Sequence, residues 1–395
     1  MKSYGKNKMQ RKKIDKNVFT LGLVSLFTDI SSQMIYPLLP IFLSSVLGVG
    51  TAFIGLLEGI AESTASILKV FSGWYSDKLK KRKPIIFSGY SLSTIGKPFL
   101  YLATAGWHVL IVRFIDRVGK GIRTSPRDAL VADSSLPEQR GKAFGIQRAM
   151  DRIGAFLGPL VAFAILPVLN NNLRLVFLLA FFPALVAVFI IVFFLKEKVH
   201  AQDSSKEIKS ISLKHFSKDF KLFVLILAIF TLGNSSDAFL VLRAKDLGVK
   251  IVFIPILWLM YNFVSSVSSV PLGHFSDRIG RRKTTLLGFF TYGVVYLGFA
   301  FSNTQSLIWI FMALYGVYYG LSEGVLRAYV ADLIDNKSVL ASAYGIYHTV
   351  VGLCMFPASL IMGILWQQYS PAVAFGFGSS LALISAVLLS LFVRK

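Results

Sequence analysis

Long apolar runs recur along the whole of this chain, and each is close to the roughly 20 residues that a helix needs to cross a bilayer. Twelve can be placed, at about residues 18–46, 52–75, 84–104, 107–132, 139–165, 173–195, 220–243, 251–273, 284–302, 306–331, 339–365 and 371–393. A soluble domain has too little interior to hide a chain that is 54% hydrophobic and only 16% charged, since soluble chains carry about a quarter charged residues. The expected fold is an all-α membrane protein, with twelve transmembrane helices in two six-helix pseudo-symmetric halves.

The net charge of +22 would suit nucleic acid only if a soluble basic face carried it. Instead the basic residues gather at alternate connections: Lys2 to Lys16, Lys78 to Lys83, Lys196 to Lys221, Arg278 to Lys283, and Arg394 with Lys395. This positive-inside pattern puts both termini and the central linker in the cytoplasm of a multi-pass protein of the inner (plasma) membrane. No nucleic-acid partner is expected. The first apolar run is too long for a signal peptide and lacks a small-residue cleavage site. Cys354 is the only cysteine, which excludes an intrachain disulfide and a cysteine metal cluster. No metal site and no cofactor are expected.

Residues 196–219 are polar and lysine-rich, and they read as a cytoplasmic linker with a short amphipathic surface helix near residues 213–220. It separates residues 1–195, which begin with a basic tail at 1–17, from residues 220–395. The two parts repeat one another. GWYSDKLKKRK at Gly73 to Lys83 returns as GHFSDRIGRRK at Gly273 to Lys283. Val131 to Asp133 returns at Val330 to Asp332, and Ala143 to Ile146 returns as Ala343 to Ile346. Parallel repeats of this kind build transporters whose site lies between the halves at mid-membrane.

At these residues the chain resembles the major facilitator superfamily over essentially its whole length. The signature is a loop between spans two and three, Gly-x-x-x-Asp-Arg/Lys-x-Gly-Arg/Lys-Arg/Lys. Gly273, Asp277, Arg278, Gly280, Arg281 and Arg282 fit it fully, whereas the first copy has Lys80 where glycine is usual. A turn with positive φ there would suit glycine and not lysine. The resemblance implies that the loop aspartates Asp77 and Asp277, with Arg82 and Arg281 in the same loops, help lock the halves in one orientation. Arg117-Val-Gly-Lys120-Gly121 resembles the family's Arg-x-x-Gln-Gly pattern in span four. Gly154, Gly158 and Pro159 resemble the start of a span-five motif of proton-exchanging drug exporters, which implies gating at these residues and export as the direction. Close helix packing and a proline kink explain the same residues without either. A monomer suffices in this family.

Span four carries Arg113, Asp116, Arg117, Lys120, Arg123 and Arg127 at intervals of three and four, so they share one helical face, with Arg127 and the neighbouring Asp128 toward its cytoplasmic end. Each charge at the bilayer centre costs about 2.5–3.5 kcal/mol even on a lenient scale. The stripe must therefore face a wet cavity or buried partners. Asp29, Glu58 and Glu62 are the candidates for proton coupling. Arg113, Arg117 and Lys120 are the candidates for binding an anionic or zwitterionic solute. The second half contributes Asn262, the span-ten face with Tyr315 and Tyr319, and Glu323 as a substrate wall, with inter-helix packing or interfacial anchoring as the alternative reading of the tyrosines.

The expected function is secondary active transport of a small organic solute, as proton-coupled efflux (antiport) by alternating access. The alternative within the class is proton-coupled uptake of an anionic nutrient or metal chelate. A non-transporting membrane sensor is the alternative of another class, but it would be expected to lack membrane-embedded ions and to add a soluble domain. No enzyme is expected, because neither GxSxG nor HExxH occurs and the five histidines are scattered. The partners are then a small-molecule substrate, protons and the lipid bilayer.

Overall fold

The computed structural model describes residues 14–79, 81–198, 216–334 and 339–393, with the side chains at 70, 74, 77, 137 and 341 outside that description. Helix α1 (Lys16–Val46) opens on Asp15, whose side chain accepts a hydrogen bond from the Asn17 N–H at 2.8 Å. It is interrupted after Ile35, resumes at Leu39–Ile41 and ends in a π-helical turn at Phe42–Val46. Pro37 and Pro40 account for the break, because neither supplies an N–H and both crowd the preceding turn. There follow α2 (Thr51–Leu79), α3 (Lys83–Leu102), α4 (Gly106–Asp133), α5 (Arg140–Val168) and α6 (Leu173–Phe194). The remaining rods are α7 (Lys218–Asp246), α8 (Ile254–Ile279), α9 (Arg281–Phe301), α10 (Gln305–Asp332), α11 (Leu340–Gln368) and α12 (Pro371–Phe392). Helix α7 is also interrupted, between Gly233 and Ala238. Residues 216 and 217 run directly into α7, so the surface helix expected near 213–220 does not exist as a separate element in its described part. Residues 199–215 lie outside the described residues.

Nine of these rods are long and apolar enough to cross a membrane. Helices α3, α4 and α10 are of comparable length but too polar by the same measure. The outer surface is lipid-like in character: Phe71, Phe99, Phe193 and Phe301 are between 54% and 76% exposed. A water-soluble monomer rarely presents apolar area on this scale.

The helix packing repeats itself six helices later. Helix α1 packs on α5 and α6, as α7 packs on α11 and α12; α2 packs on α4, as α8 packs on α10. Helix α3 packs on α4 and α6, as α9 packs on α10 and α12. Two further pairings, α2 with α11 and α5 with α8, join the groups and are exchanged by the same relation. The α2–α11 contact is a glycine seam. A Cβ on Gly59 would stand 2.8 Å from the Phe356 carbonyl oxygen, and one on Gly352 would stand 2.8 Å from Ser66 Cβ. Gly55 and Gly363 are closed in more tightly still, against the backbone at Ser359 and Thr51. Small residues let two helix backbones approach in this way. Thr51 Oγ1 donates to the Gly363 carbonyl at 3.0 Å and Ser63 Oγ to the Gly352 carbonyl at 2.7 Å. The seam therefore holds the two groups together on the side away from the termini.

On the side of the termini, the duplicated motifs meet within each group. Arg82 Nε lies 2.9 Å from Asp133 Oδ2, and Arg281 Nη1 lies 2.6 Å from both oxygens of Asp332. The loop repeat and the Val-Ala-Asp repeat are thus two halves of one contact. Gly280 has φ +94°, the left-handed backbone that the turn was expected to require. Lys80 lies outside the described residues. The Glu197 carboxylate caps the start of α3 by accepting from the N–H groups of Arg82 and Lys83 at 3.0 and 2.9 Å, as a negative charge at a helix N-terminus should.

Burial separates the two motif contacts. The Arg82 and Asp133 side chains are 7% and 17% exposed, while Arg281 and Asp332 are 33% and 44% exposed. Asp133→Ala removes a short ion pair from a buried guanidinium and should cost roughly 1.5–3 kcal/mol, as for a hydrogen bond to a charged group. Asp332→Ala should cost about 1 kcal/mol or less, as for exposed pairs. Thermal unfolding in detergent checks the contrast, and equal losses would contradict it.

Candidate functional site

A cavity of about 320 Å³ lies between the two groups of helices. It sits well inside the helices: Lys120 is 14 residues into α4, roughly 20 Å at 1.5 Å per residue. Asp29, Glu62, Lys97, Arg113, Asp116, Arg117, Lys120 and Arg123 line one wall. The residues of the α7 break, Asn234 to Asp237, line the other with Trp258, Tyr261, Asn262 and Tyr319. The α4 stripe faces the cavity from Arg113 to Arg123 but not at Arg127, its last expected member. Arg127, one turn further on, leaves it and donates to Ser25 Oγ at 3.1 Å and Asp128 Oδ1 at 2.9 Å.

The ions divide into those that hold one another and those that do not. Arg113 Nη2 donates to both oxygens of Glu58 at 3.0 Å, and this Glu58 is 2% exposed, behind the cavity wall. Its guanidinium also lies 5.5 Å from the Tyr36 ring centroid. Arg117 pairs with Glu62 at 3.1 Å. Asp116 lies between the two arginines, 3.6 Å from Arg117 and 3.9 Å from Arg113. By contrast, among the described residues no carboxylate stands within salt-bridge distance of Lys97, Lys120 or Arg123. Lys97, 5% exposed, donates to the Ser31 hydroxyl. Arg123, 8% exposed, donates to Ser93 Oγ at 2.5 Å and stacks 4.3 Å over the Tyr90 ring. Lys120 opens into the cavity. Asp29 is the lining carboxylate on this wall without a basic partner at ion-pair distance.

The second group reaches the charged wall through the α7 break. Ser236 Oγ donates to Glu58 Oε2 at 3.4 Å, and the Ser236 N–H donates to Ser359 Oγ on α11 at 3.1 Å. Trp258 Nε1 donates to Gln33 Oε1 on α1 at 2.8 Å. Of the expected tyrosine face, only Tyr319 lines the cavity. Tyr315 is fully buried and acts through its hydroxyl, which donates to Asp237 Oδ1 at 2.6 Å. Asn262 lines the cavity, with its amide donating to the Trp258 carbonyl at 3.1 Å.

Other expected residues lie elsewhere. Glu323 pairs with Arg327 at 3.1 Å and reaches Arg152 of α5 at 3.6 Å, beside a second cavity on the side of the termini that also contains Asp277 and Arg281. Arg281 bridges Asp277 and Asp332. The Asp77 side chain lies outside the described residues. Gly154 and Gly158 meet the carbonyls of Leu26 and Ile30, each at 2.6 Å from a built Cβ, so they set the close approach of α5 to α1 that puts Asp29 at the cavity edge. Pro159 is buried in the same helix. Sequence reasoning did not single out Ser236, Gln33, Tyr36 or the α2–α11 seam. The Gly55-x-x-x-Gly59 spacing would have pointed to the seam.

The Glu58–Arg113 pair is almost fully removed from solvent. Glu58→Gln or Arg113→Met alone should therefore lower stability by roughly 3–5 kcal/mol, and the double change to apolar residues should recover most of it. Melting temperatures of the single and double variants check this. A double variant as unstable as the sum of the singles would contradict pairing.

The Major Facilitator Superfamily model matches residues 21–260 and 222–395. An uncharacterized MFS-type transporter of Methanocaldococcus jannaschii is 40% identical over 390 residues, covering 97% of this chain and 96% of that protein. A multidrug resistance protein MdtH of Photorhabdus laumondii is 29% identical over 128 residues, 32% of each chain. The crystal structure of the nucleoside transporter NupG superposes with a TM-score of 0.79 at 13% identity, covering 96% of this chain and 99% of that one. At that identity the likeness speaks for the fold alone. Family model, full-length relative and fold agree: this multi-pass membrane protein belongs to the Major Facilitator Superfamily of transporters.

Proposed function

We propose that the chain moves a small organic solute by alternating access, driven by protons. The observation that carries this reading is a charged cavity deep between two symmetry-related groups of helices. In this reading all twelve rods cross the membrane, residues 1–195 and 220–395 are the moving halves, and 196–219 is a cytoplasmic linker. Both termini then face the cytoplasm, and a monomer is the working unit. The α2–α11 seam closes the outer side while the cavity is served from inside. Asp277, Arg281 and Arg82 stabilise that arrangement from the cytoplasmic loops, with Asp77 in the same role.

Asp29 is the proton site of choice. It borders the cavity and lacks a basic partner at ion-pair distance, so its charge is free to depend on what occupies the cavity. Glu58 and Glu62 are each held by an arginine, which makes them structural members of the charged wall. Export is supported by the stretch similar to MdtH. Uptake of an anionic solute is supported by a different observation, the three cavity cations without carboxylate partners.

Both directions share one test. A solute that raises the melting temperature of the purified protein should move across proteoliposomes faster under an imposed pH gradient, and the sign of the effective gradient assigns export or uptake. Asp29→Asn should retain solute exchange at equilibrium and lose most of the acceleration, about tenfold or more. Flux indifferent to pH in the unaltered protein would remove proton coupling from the account.

A further inference from the structure

We propose that the solute is an organic oxyanion built on a flat ring, with its carboxylate or phosphate seated by Lys97, Lys120 and Arg123 and its ring against Trp258, Tyr261 and Tyr319. The proposal rests on the transport reading for its biological meaning, but the chemistry of the seat is argued from the cavity alone.

The first observation is the distribution of unpaired charge. The pairs Glu58–Arg113 and Glu62–Arg117, with Asp116 between the arginines, hold one another at ion-pair distance. Lys97 and Arg123 are each more than nine-tenths buried, yet among the described residues they meet hydroxyls and, for Arg123, an aromatic face, with no carboxylate at ion-pair distance. Burying a cation without a counter-charge is strongly unfavourable. With Lys120 they supply three positive charges on the α3 and α4 side of one cavity, against a single lining carboxylate on that wall without an ion-pair partner, Asp29, which leaves an excess of two. An oxyanion placed there gains charge-assisted hydrogen bonds from donors already in position.

The second observation is the opposite wall. The rings of Tyr36 and Trp258 lie 5.1 Å apart, Trp258 and Tyr261 4.9 Å, and Tyr261 and Tyr319 5.4 Å, giving a continuous aromatic surface. The Trp258 ring is fixed by its hydrogen bond to Gln33. Such a surface could by itself take a cation over its π faces. The three cations across the cavity oppose that, and Asp237, the carboxylate on this wall, is already hydrogen-bonded by Tyr315. A flat neutral ring is what remains. The volume of about 320 Å³ is at the lower end of the roughly 300–1,000 Å³ range of small-molecule sites, so the solute is compact.

Binding to the purified full-length protein, read by tryptophan fluorescence and isothermal titration, separates the possibilities. The probes are 4-hydroxybenzoate, phenyl phosphate, tyramine (the same ring with a cation) and inorganic phosphate. At least one of the two aryl oxyanions should bind ten times or more tightly than tyramine and inorganic phosphate, and their order identifies the anionic group. Lys120→Gln, at a side chain already open to the cavity, should weaken that binding at least tenfold. Trp258→Leu should weaken it with Lys120 intact. Tyramine binding as tightly as the oxyanions, no oxyanion binding at all, or oxyanion affinity unchanged in Lys120→Gln would overturn the proposal. Counterflow in proteoliposomes keeps the two readings apart. Oxyanion binding without counterflow overturns transport and leaves the seat; counterflow of tyramine overturns the seat and leaves transport.

Discussion

The buried ion pair between Glu58 and Arg113 is the contact on which the cavity depends. It ties α2 to α4 within one group of helices, and through Ser236 it is the point at which the other group touches the charged wall. Ions at this depth are costly unless partners or a wet cavity are within reach. Arg113 meets this condition with Glu58, and Arg117 meets it with Glu62. Those two pairs fix the α4 stripe against α2, so Lys120 and Arg123, one and two turns along, are held facing the cavity. A rigid paired cluster therefore presents a less satisfied one.

The two interrupted helices make this possible. Regular helix leaves no backbone free for a ligand or for the opposite group, and non-helical backbone at membrane depth is tolerated only where protein or a wet cavity covers it. Helix α1 breaks at its prolines beside Tyr36, and α7 breaks across Asn234 to Asp237. Both breaks line the same cavity, and they occupy equivalent places in the repeated packing. The α7 break places Ser236 toward Glu58 and Asp237 toward Tyr315, two contacts that an unbroken helix would not offer together.

Much of this was legible in the sequence, because it is governed by local pattern. Apolar runs of about twenty residues gave the helices, and the offset repeats gave the duplicated packing. The i, i+3, i+4 spacing from Arg113 to Arg123 put those ions on one cavity face. The motif at Gly273 to Lys283 foretold the left-handed Gly280. What was not legible depends on which ion pairs with which. Spacing alone could not say that Arg113 and Arg117 are occupied by Glu58 and Glu62 while Lys97 and Arg123 are not, since that follows from three-dimensional register between helices. The same holds for Tyr315, whose ring is buried and whose hydroxyl alone acts, and for Glu323, which faces a second cavity. Ser236 escaped notice because a serine in a polar break has no pattern of its own.

Alternating access, as proposed, requires the α2–α11 seam that is closed here to part so that the cavity can reach the outer side. Ala52 and Gln367 meet at the end of that seam, where the Ala52 N–H donates to Gln367 Oε1 at 3.0 Å. In a Cys354→Ala background, cysteines at positions 52 and 367 can be joined by a short thiol cross-linker, and solute flux in proteoliposomes measured before joining, after joining and after reductive release. Joining should stop flux while solute binding survives, and release should restore flux. Flux at the unjoined rate while the seam is covalently closed would contradict that requirement.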